Sequence, residues 1–218
     1  MLEMMLHAGK RNAGFKFGNV EQGYYGLVQP EDFISGSSLA TAIGLTGGTV
    51  ANNTEGWLKF SYYGKTLYIA KKPFRTNVTW ADIYTAGAVY GNNSYGRVYS
   101  GGASKLQNTT VVIGGKTYRV RLIKSAATDP TATTVAASEL GDLVKRINSS
   151  AGGIWPTFNS TELGFAGGPG SFTWLVETRT SNLNARLHCY GPTMGMTQDL
   201  ATTRDTYYGW RPVLELIP

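Results

Sequence analysis

The chain has 218 residues, of which 42% are hydrophobic and only 16% are charged, and it contains 28 glycines and 13 tyrosines. This composition excludes a disordered chain and argues against a helical bundle, because many glycines and aromatic residues with few charges are typical of a loop-rich protein that contains β-sheet. The formal net charge of +6 is spread along the chain without a concentrated basic stripe, so we expect no nucleic-acid binding.

Cysteine content and hydropathy exclude further classes of protein. The single cysteine, Cys189, cannot form an internal disulfide and leaves no cysteine-based zinc cluster. No apolar stretch is long enough to cross a membrane, so we expect no membrane insertion. The first seven residues are too short for a signal peptide and include an acid, which favours a protein made or assembled in a cytoplasm.

Residues 1–55 differ from the rest of the chain because their aromatic residues lie among glycines, asparagines and threonines. Such a segment can hardly form a core alone, and we predict an N-terminal arm or linker that anchors the protein or contacts a partner. A loop folded back on its own domain is an equally good interpretation. A short helix is predicted over 35–43. The rings expected to make the arm contacts are those of Phe15, Phe17, Tyr24 and Tyr25.

Two hairpins are predicted in the main domain, which spans residues 56–218. Residues 57–70 predict two strands around a turn that contains Gly64. Residues 110–123 predict the clearer hairpin, because the Gly114-Gly115 dipeptide supplies the positive φ angles of a two-residue turn. Basic residues alternate with apolar ones along its second strand, which is typical of a solvated face; they are Arg119, Arg121 and Lys124.

Two helices are predicted in the same domain. Thr79 and Asp82 have the spacing of a capping box, which predicts a short helix over 80–86. The best helical pattern covers 135–147, where four apolar residues recur at helical spacing; they are Leu140, Leu143, Val144 and Ile147.

Three strands are predicted near the end of the sequence, over 171–178, 184–190 and 208–217. The last of them is strongly apolar, and we expect it to be a paired inner strand. Arg211 interrupts it, and a guanidinium in an apolar strand requires a carboxylate or several carbonyl groups as partners. We therefore interpret Arg211 as a structural clamp.

Several segments of 56–218 resemble a family of tailed-bacteriophage virion proteins. The most specific are Phe-Thr-Trp-Leu-Val-Glu at 172–177 and Trp-Arg-Pro-Val-Leu at 210–214, and the others are 57–60, 64–73, 79–83, 86–91, 115–122 and 208–216. The domain of that family is similar to the C-type-lectin-like fold, which formylglycine-generating enzymes and variable receptor-binding phage proteins also use. The resemblance implies an α+β domain with a mixed or antiparallel sheet, two short helices and long loops, preceded by the N-terminal arm.

The resemblance also implies a function. We expect a non-enzymatic structural protein of the virion, exposed on the particle and serving assembly or host attachment in a tail fibre, baseplate, collar or receptor-binding component. Its expected partners are other virion proteins, further copies of itself, and a host surface glycan or receptor. A capsid decoration or cement protein is the alternative, and an enzyme of the formylglycine-generating kind is a remote one.

Departures from related patterns argue against metal and cofactor chemistry. Gln29-Pro30-Glu31 is misplaced for the calcium-binding tripeptide of sugar-binding lectins, and Trp80-Ala81-Asp82 lacks their amide, so we predict no calcium. The enzyme branch binds copper with two cysteines, and only Cys189 is present. His188 precedes Cys189 in a strand, so their side chains face opposite ways and cannot form a nucleophile–base pair. We predict no cofactor and no enzymatic activity, and a structural role for His188.

Aromatic rings lie among Gly, Ser, Asn and Thr in two long loops, over 91–108 and 155–170. Two more rings precede or begin the last predicted strand. Rigid rings among small polar residues are typical of adaptable binding surfaces, and we predict ligand or partner contacts there. The alternative is that the rings pack the loops onto their own sheet, which we expect for over half of them. The candidates are Tyr95, Tyr99, Trp155, Phe158, Phe165, Tyr207 and Tyr208. Residues expected to be structural are Trp57, Trp80, Trp174, Trp210 and Arg211.

Overall fold

The computed structural model describes residues 14–132 and 137–218. The start of the predicted arm and residues 135–136 of the predicted helix lie outside the described residues. The described part combines two β-sheets with short helices, which confirms the predicted α+β class. The helical segments are 3-10 turns at Pro30–Asp32 and Ser149–Ala151, a π-helical turn at Leu140–Val144, and α-helices α1 (Gly36–Ala42), α2 (Trp80–Thr85) and α3 (Lys145–Ile147). No helix among the described residues is long and apolar enough to cross a membrane.

Thirteen strands of the described residues build the two sheets. They are β1 (Phe17–Gly18), β2 (Gln22–Val28), β3 (Thr49–Val50), β4 (Trp57–Tyr62), β5 (Lys65–Ala70), β6 (Arg75–Thr76), β7 (Thr110–Ile113), β8 (Lys116–Arg121), β9 (Phe172–Arg179), β10 (Asn182–Tyr190), β11 (Gly195–Leu200), β12 (Tyr208–Trp210) and β13 (Val213–Leu216). The first sheet is antiparallel, in the order β1-β2-β4-β5-β13-β8-β7. The second has the order β11-β10-β9-β12-β6-β3, and only its β9–β12 pair is parallel.

The locally encoded elements form as predicted. Gly114 and Gly115 have φ angles of +55° and +75° and join β7 to β8 in a two-residue turn. At the start of α2, the Thr79 hydroxyl accepts a hydrogen bond from the Asp82 backbone at 2.9 Å, and the Asp82 carboxylate accepts one from the Thr79 backbone at 2.9 Å. The predicted capping box is therefore confirmed.

Residues 14–55, the described part of the predicted arm, fold back onto the same domain, which was one of the two interpretations of this segment. Strand β2 pairs with β4 along its length, and α1 buries Leu39 and Ala40 in the core. The Trp57 indole donates a hydrogen bond to the Ile34 carbonyl at 2.7 Å. Residues 14–55 thus contribute β1 and β2 to the first sheet, β3 to the second sheet and buried side chains to both cores, and they do not form an extended arm. Without β2, one edge of β4 and the apolar side chains beside it would be exposed to water.

Two predicted elements are corrected. The pattern over 135–147 predicted one α-helix, but the chain forms a π-helical turn followed by α3, although its four apolar residues are fully buried as expected. The predicted strand over 208–217 is divided at Arg211-Pro212 into β12 in the second sheet and β13 in the first. Pro212 has no N–H to donate, which ends the pairing of β12. Strand β13 then lies between β5 and β8, so the predicted inner strand is confirmed.

Alternation along the strands sends side chains into two cores. In the first sheet, Trp57 and Leu214 enter one cluster while Leu58 and Val213 enter the other. The second sheet contributes to both clusters in the same way. The four tryptophans expected to be structural, Trp57, Trp80, Trp174 and Trp210, are all fully buried in the first cluster.

Arg211 joins the two sheets at the point where the chain passes between them. Its guanidinium is fully buried and donates to the carbonyl oxygens of Ala70, Lys71 and Leu163, and its Nε donates to the Thr173 hydroxyl at 3.2 Å. The several carbonyl groups that the sequence required are therefore present. Burial lowers the pKa of Arg211, and no carboxylate of the described residues binds it to offset this effect.

Candidate ligand-binding surface

Strand register brings aromatic side chains together on the second sheet. Trp174 in β9 lies opposite His188 in β10, and Tyr208 in β12 lies beside Phe172. Because strand side chains alternate, Phe172 shares a face with Trp174, and Tyr190 shares that face with His188. We call the surface made by Phe172, His188, Tyr190, Tyr207 and Tyr208 the aromatic face.

Phe172 is the centre of the aromatic face. Its ring centroid lies 5.1 Å from that of His188, 5.4 Å from Tyr190, and 5.6 Å from both Tyr207 and Tyr208. These separations are those of favourable aromatic pairs. Tyr190 is 39% exposed and Tyr207 is 48% exposed, whereas His188 and Tyr208 are buried beneath them. Two exposed rings are thus held on a layer of buried ones, which limits their freedom before any ligand binds.

Asp199 adds a carboxylate to this surface. Its Oδ2 atom accepts hydrogen bonds from the Tyr208 hydroxyl and from His188 Nε2, the latter at 3.1 Å. The side chain of Asp199 is 41% exposed. Its Oδ1 atom accepts no hydrogen bond from the described residues, so it is available to accept one from a ligand hydroxyl or N–H.

The buried imidazole of His188 is held neutral. Burial lowers the pKa of His188, and the bond to Asp199 opposes this only in part. The Nδ1 atom is buried and has no hydrogen-bond partner among the described residues. A second proton would place an N–H donor there without an acceptor, so the neutral form with its proton on Nε2 is favoured. His188 therefore orients Asp199 as a neutral hydrogen-bond donor.

Tyr208 supports the same carboxylate from the other side. Burial raises the pKa of Tyr208, and its hydrogen bond to Asp199 raises it further, so the phenol remains a donor at neutral pH. The ring stacks on Trp174 with centroids 4.5 Å apart. The arrangement as a whole offers two exposed rings for stacking and one oriented anionic acceptor.

Cys189 lies on the other side of the strand from this surface. It belongs to the second core cluster, whereas His188 contacts Trp174 and Tyr208 of the first, which confirms that the two side chains face opposite ways. Burial raises the pKa of the Cys189 thiol to about 12, so it is protonated at neutral pH. Within residues 14–132 and 137–218, no three His, Cys, Asp or Glu side chains are grouped so that they could hold a metal ion.

The loop over 91–108 places its two candidate tyrosines away from the aromatic face. Tyr95 is 55% exposed, and its backbone carbonyl accepts from the Tyr84 hydroxyl at 2.8 Å. Tyr99 packs edge-on against Tyr84 and Trp80, with centroids 5.7 and 6.3 Å apart. It also borders a cleft of about 330 Å³ with Asn184 as one of its neighbours.

The candidates in the loop over 155–170 serve mainly internal packing. Phe165 is fully buried, and the Arg211 guanidinium lies 4.2 Å from the centroid of its ring. Phe165 therefore cannot contact a partner. Trp155 is 8% exposed and lies beneath Arg146. Phe158 is partly exposed beside the Lys71 ammonium, 5.2 Å from the ring centroid. Of the seven predicted contact residues, only Tyr207 and Tyr208 meet on the aromatic face. We expected over half of the rings to pack onto their own domain, and five lie in or against the two cores; they are Tyr99, Trp155, Phe158, Phe165 and Tyr208.

The rings predicted for arm contacts have different environments. Tyr24 is fully buried against Phe60, with centroids 5.1 Å apart, which corrects the prediction that it contacts a partner. Phe15 and Tyr25 stack on each other at 4.2 Å. Phe17 is 37% exposed and lies over Trp155 at 6.4 Å.

Sequence reasoning missed Phe172, Tyr190 and Asp199 as surface residues and treated His188 as structural. The alternation of Phe172 with Trp174, and of His188 with Tyr190, was a usable signal once β9 and β10 were paired. Asp199 gave no signal, because β11 was not predicted as a strand.

No family model matches this chain, and comparisons with curated proteins and with solved structures found no match either.

Proposed function

We propose that this chain is a non-enzymatic structural protein of a tailed-bacteriophage particle, with a C-type-lectin-like domain, that serves assembly or host attachment. The resemblance of segments in 56–218 supports this proposal, and the antiparallel α+β architecture with short helices and long loops is compatible with it. Its localisation is then the virion. Its partners are other virion subunits, further copies of the chain, and a host surface glycan or receptor.

The observation that carries a binding role is the aromatic face. Exposed tyrosines fixed on buried rings provide contact area at a small cost in conformational entropy, because the supporting layer already restricts them. Asp199 supplies a directed acceptor beside them. Flat aromatic rings with one hydrogen-bonding group suit a sugar ring or the surface of another subunit, because both offer an apolar face with polar groups at its rim.

Replacing both exposed tyrosines tests this role. The Y190S/Y207S variant removes the accessible rings and leaves the buried layer intact, so we expect unfolding free energy to change by no more than about 1 kcal/mol. Binding to host cells or to particles lacking the protein should fall at least about tenfold. The matched control is Y95S, which removes a similarly exposed tyrosine from a different loop and should bind as the unaltered protein does.

The outcomes distinguish the proposed roles. Loss of adsorption to host cells with normal incorporation into particles supports host attachment, and loss of incorporation supports assembly. Unchanged behaviour of Y190S/Y207S in both assays would exclude the aromatic face as the binding surface. Mass spectrometry of purified particles tests the virion localisation separately, and the absence of the chain from them would overturn it.

A further inference from the structure

A second surface cleft lies on the far side of the β4–β5 turn, where it meets residues 124–127 and 137–139. Its volume is about 280 Å³, close to the lower end of the range of about 300–1,000 Å³ typical of small-molecule sites. Tyr62 and Tyr63 form one wall, and Lys65, Lys124 and Glu139 line the remainder. We call this the lysine cleft.

Charge beneath the lysine cleft is unbalanced. Arg121 is fully buried and binds both oxygens of Glu139 at 2.7 Å, and it also binds Glu215 at 2.9 Å. Glu215 in addition pairs with Lys65 at 3.0 Å and with Arg119 at 3.8 Å. Three cations therefore bind two carboxylates, and Lys124 lies near them as a fourth, which leaves an excess of two positive charges; the group comprises Lys65, Arg119, Arg121, Lys124, Glu139 and Glu215.

Lys124 is the one of these four cations whose ammonium has no direct partner within residues 14–132 and 137–218. Its side chain is partly buried, and its Nζ atom makes no hydrogen bond or ion pair with any described residue, although its backbone N–H donates to Glu139 at 3.1 Å. Burial and the nearby Arg121 guanidinium lower the pKa of Lys124, and the carboxylates of Glu139 and Glu215 oppose this shift only in part. An ammonium that is partly removed from water and pushed by a second cation is stabilised when an anion supplies the missing partner.

Two further acidic groups near the cleft are already engaged. Glu177 is buried and accepts hydrogen bonds from the Ser125 hydroxyl at 2.7 Å and from the Ala126 backbone at 3.3 Å. Asp142 accepts a hydrogen bond from the Tyr62 hydroxyl at 3.1 Å and lies 3.8 Å from Arg146. It therefore orients the Tyr62 ring and does not neutralise Lys124. Tyr63 is 61% exposed, and its hydroxyl accepts from the Gln22 amide at 3.0 Å, which fixes the position of the ring.

We propose that the lysine cleft binds a sugar residue that carries a carboxylate group, such as a uronic acid. The carboxylate contacts the ammonium groups of Lys124 and Lys65, and the sugar ring lies against the tyrosine wall. An acidic amino-acid side chain would use the charge but leave the exposed face of Tyr63 without a partner. The site is separate from the aromatic face and does not depend on the chain being a virion protein.

Binding of free glucuronate to the whole protein, measured by isothermal titration calorimetry or amide NMR shifts, tests this assignment. We expect glucuronate to bind at least about tenfold more tightly than glucose, with an affinity that falls as salt rises from about 50 to about 500 mM. K124M keeps most of the aliphatic stem and should weaken glucuronate binding at least about tenfold. K116M is the matched control, because Lys116 is an exposed lysine at the β7–β8 turn, and it should bind normally.

A second variant separates the sugar from other acids. Y63A should weaken binding of glucuronate but leave any binding of glutamate unchanged, because only the sugar uses the ring. Circular dichroism and thermal unfolding verify that each variant is folded. Equal affinity for glucuronate and glucose, or normal binding by folded K124M, would overturn the proposal. Glutamate binding as tightly as glucuronate, with no effect of Y63A, would assign the cleft to acidic side chains and would also overturn it.

Discussion

Arg121 and Arg211 are both fully buried, yet Arg121 binds two carboxylates whereas Arg211 binds only uncharged oxygen atoms. The carboxylates raise the pKa of Arg121 despite its burial, and burial alone lowers the pKa of Arg211. The first arrangement holds β8 and β13 to the segment at Glu139 through opposite charges. The second holds the crossing between the two sheets through backbone dipoles.

Glu177 is the acidic counterpart of Arg211. Its buried carboxylate accepts from the Ser125 backbone at 3.0 Å, from the Ser125 hydroxyl at 2.7 Å and from the Ala126 backbone at 3.3 Å. No cation pairs with it among the described residues, and burial raises the pKa of Glu177 to about 7 in spite of these donors. Neutral partners can thus fix a buried charge in place without fully replacing its hydration.

The variant R121M should have the largest effect on stability. It leaves Glu139 and Glu215 without their guanidinium, and breaking a buried ion pair from one side costs about 3–5 kcal/mol. Urea unfolding at neutral pH measures the loss. Because the uncompensated carboxylates take up protons in acid, the loss should become smaller as the pH falls toward about 5. A loss that does not depend on pH would contradict the ion-pair account.

The variant R211M should lower the unfolding free energy by about 2–4 kcal/mol, because it leaves buried carbonyl groups without donors. Carbonyl groups do not titrate, so this loss should be the same at acid and neutral pH, in contrast to that of R121M. Urea unfolding at both pH values makes the comparison. Arg204 is exposed, and R204M therefore serves as the control that should lose less than about 1 kcal/mol. If R211M loses no more unfolding free energy than R204M, Arg211 is not a structural clamp.

The variant E177Q should change how stability depends on pH. The folded-state pKa of about 7 lies above the ordinary glutamate pKa of 4.5, so this group favours the folded state most below pH 4.5. This contribution to the unfolding free energy, about 3 kcal/mol in total, is lost as the pH rises from 4.5 to about 7. Unfolding free energies measured across this interval should therefore fall less steeply in E177Q than in the unaltered protein. Parallel curves for the two proteins would show that Glu177 ionises normally.

The variant K65M should have the smallest effect. Lys65 pairs with Glu215 at 3.0 Å, but its side chain is 52% exposed, and such pairs contribute less than about 1 kcal/mol. The same urea measurement, repeated in high salt, should show a difference that becomes smaller still. A loss comparable with that of R121M would mean that Lys65, and not Arg121, is the principal partner of Glu215.

Arg121 also shows where sequence reasoning was wrong. Its alternation with apolar residues predicted a solvated face, but the register of β8 with β13 places it opposite Val213, and Glu139 arrives from a distant segment to bind it. A solvated strand face and a face covered by another segment have the same local pattern. The sequence of β8 therefore cannot distinguish them.

Short-range features were predictable because all their partners lie within a few residues. The Thr79–Asp82 capping box and the Gly114-Gly115 turn depend only on local backbone geometry, and both formed as expected. The composition indicated only a loop-rich protein that contains β-sheet, and the α+β class was implied by the resemblance of segments in 56–218. Arg211 could be identified as a clamp, because its residue type and its apolar neighbours already restricted what it could bind.

The tertiary structure alone decided the features that join distant segments. The aromatic face requires β9, β10 and β12 in one register, and the lysine cleft requires the β4–β5 turn to meet residues near 124 and 139. The aromatic candidates in the loops were divided between surface and core for the same reason, because burial depends on what covers a ring and not on its sequence neighbours. Local sequence sets the conformation of each segment, and long-range pairing decides which side chains meet.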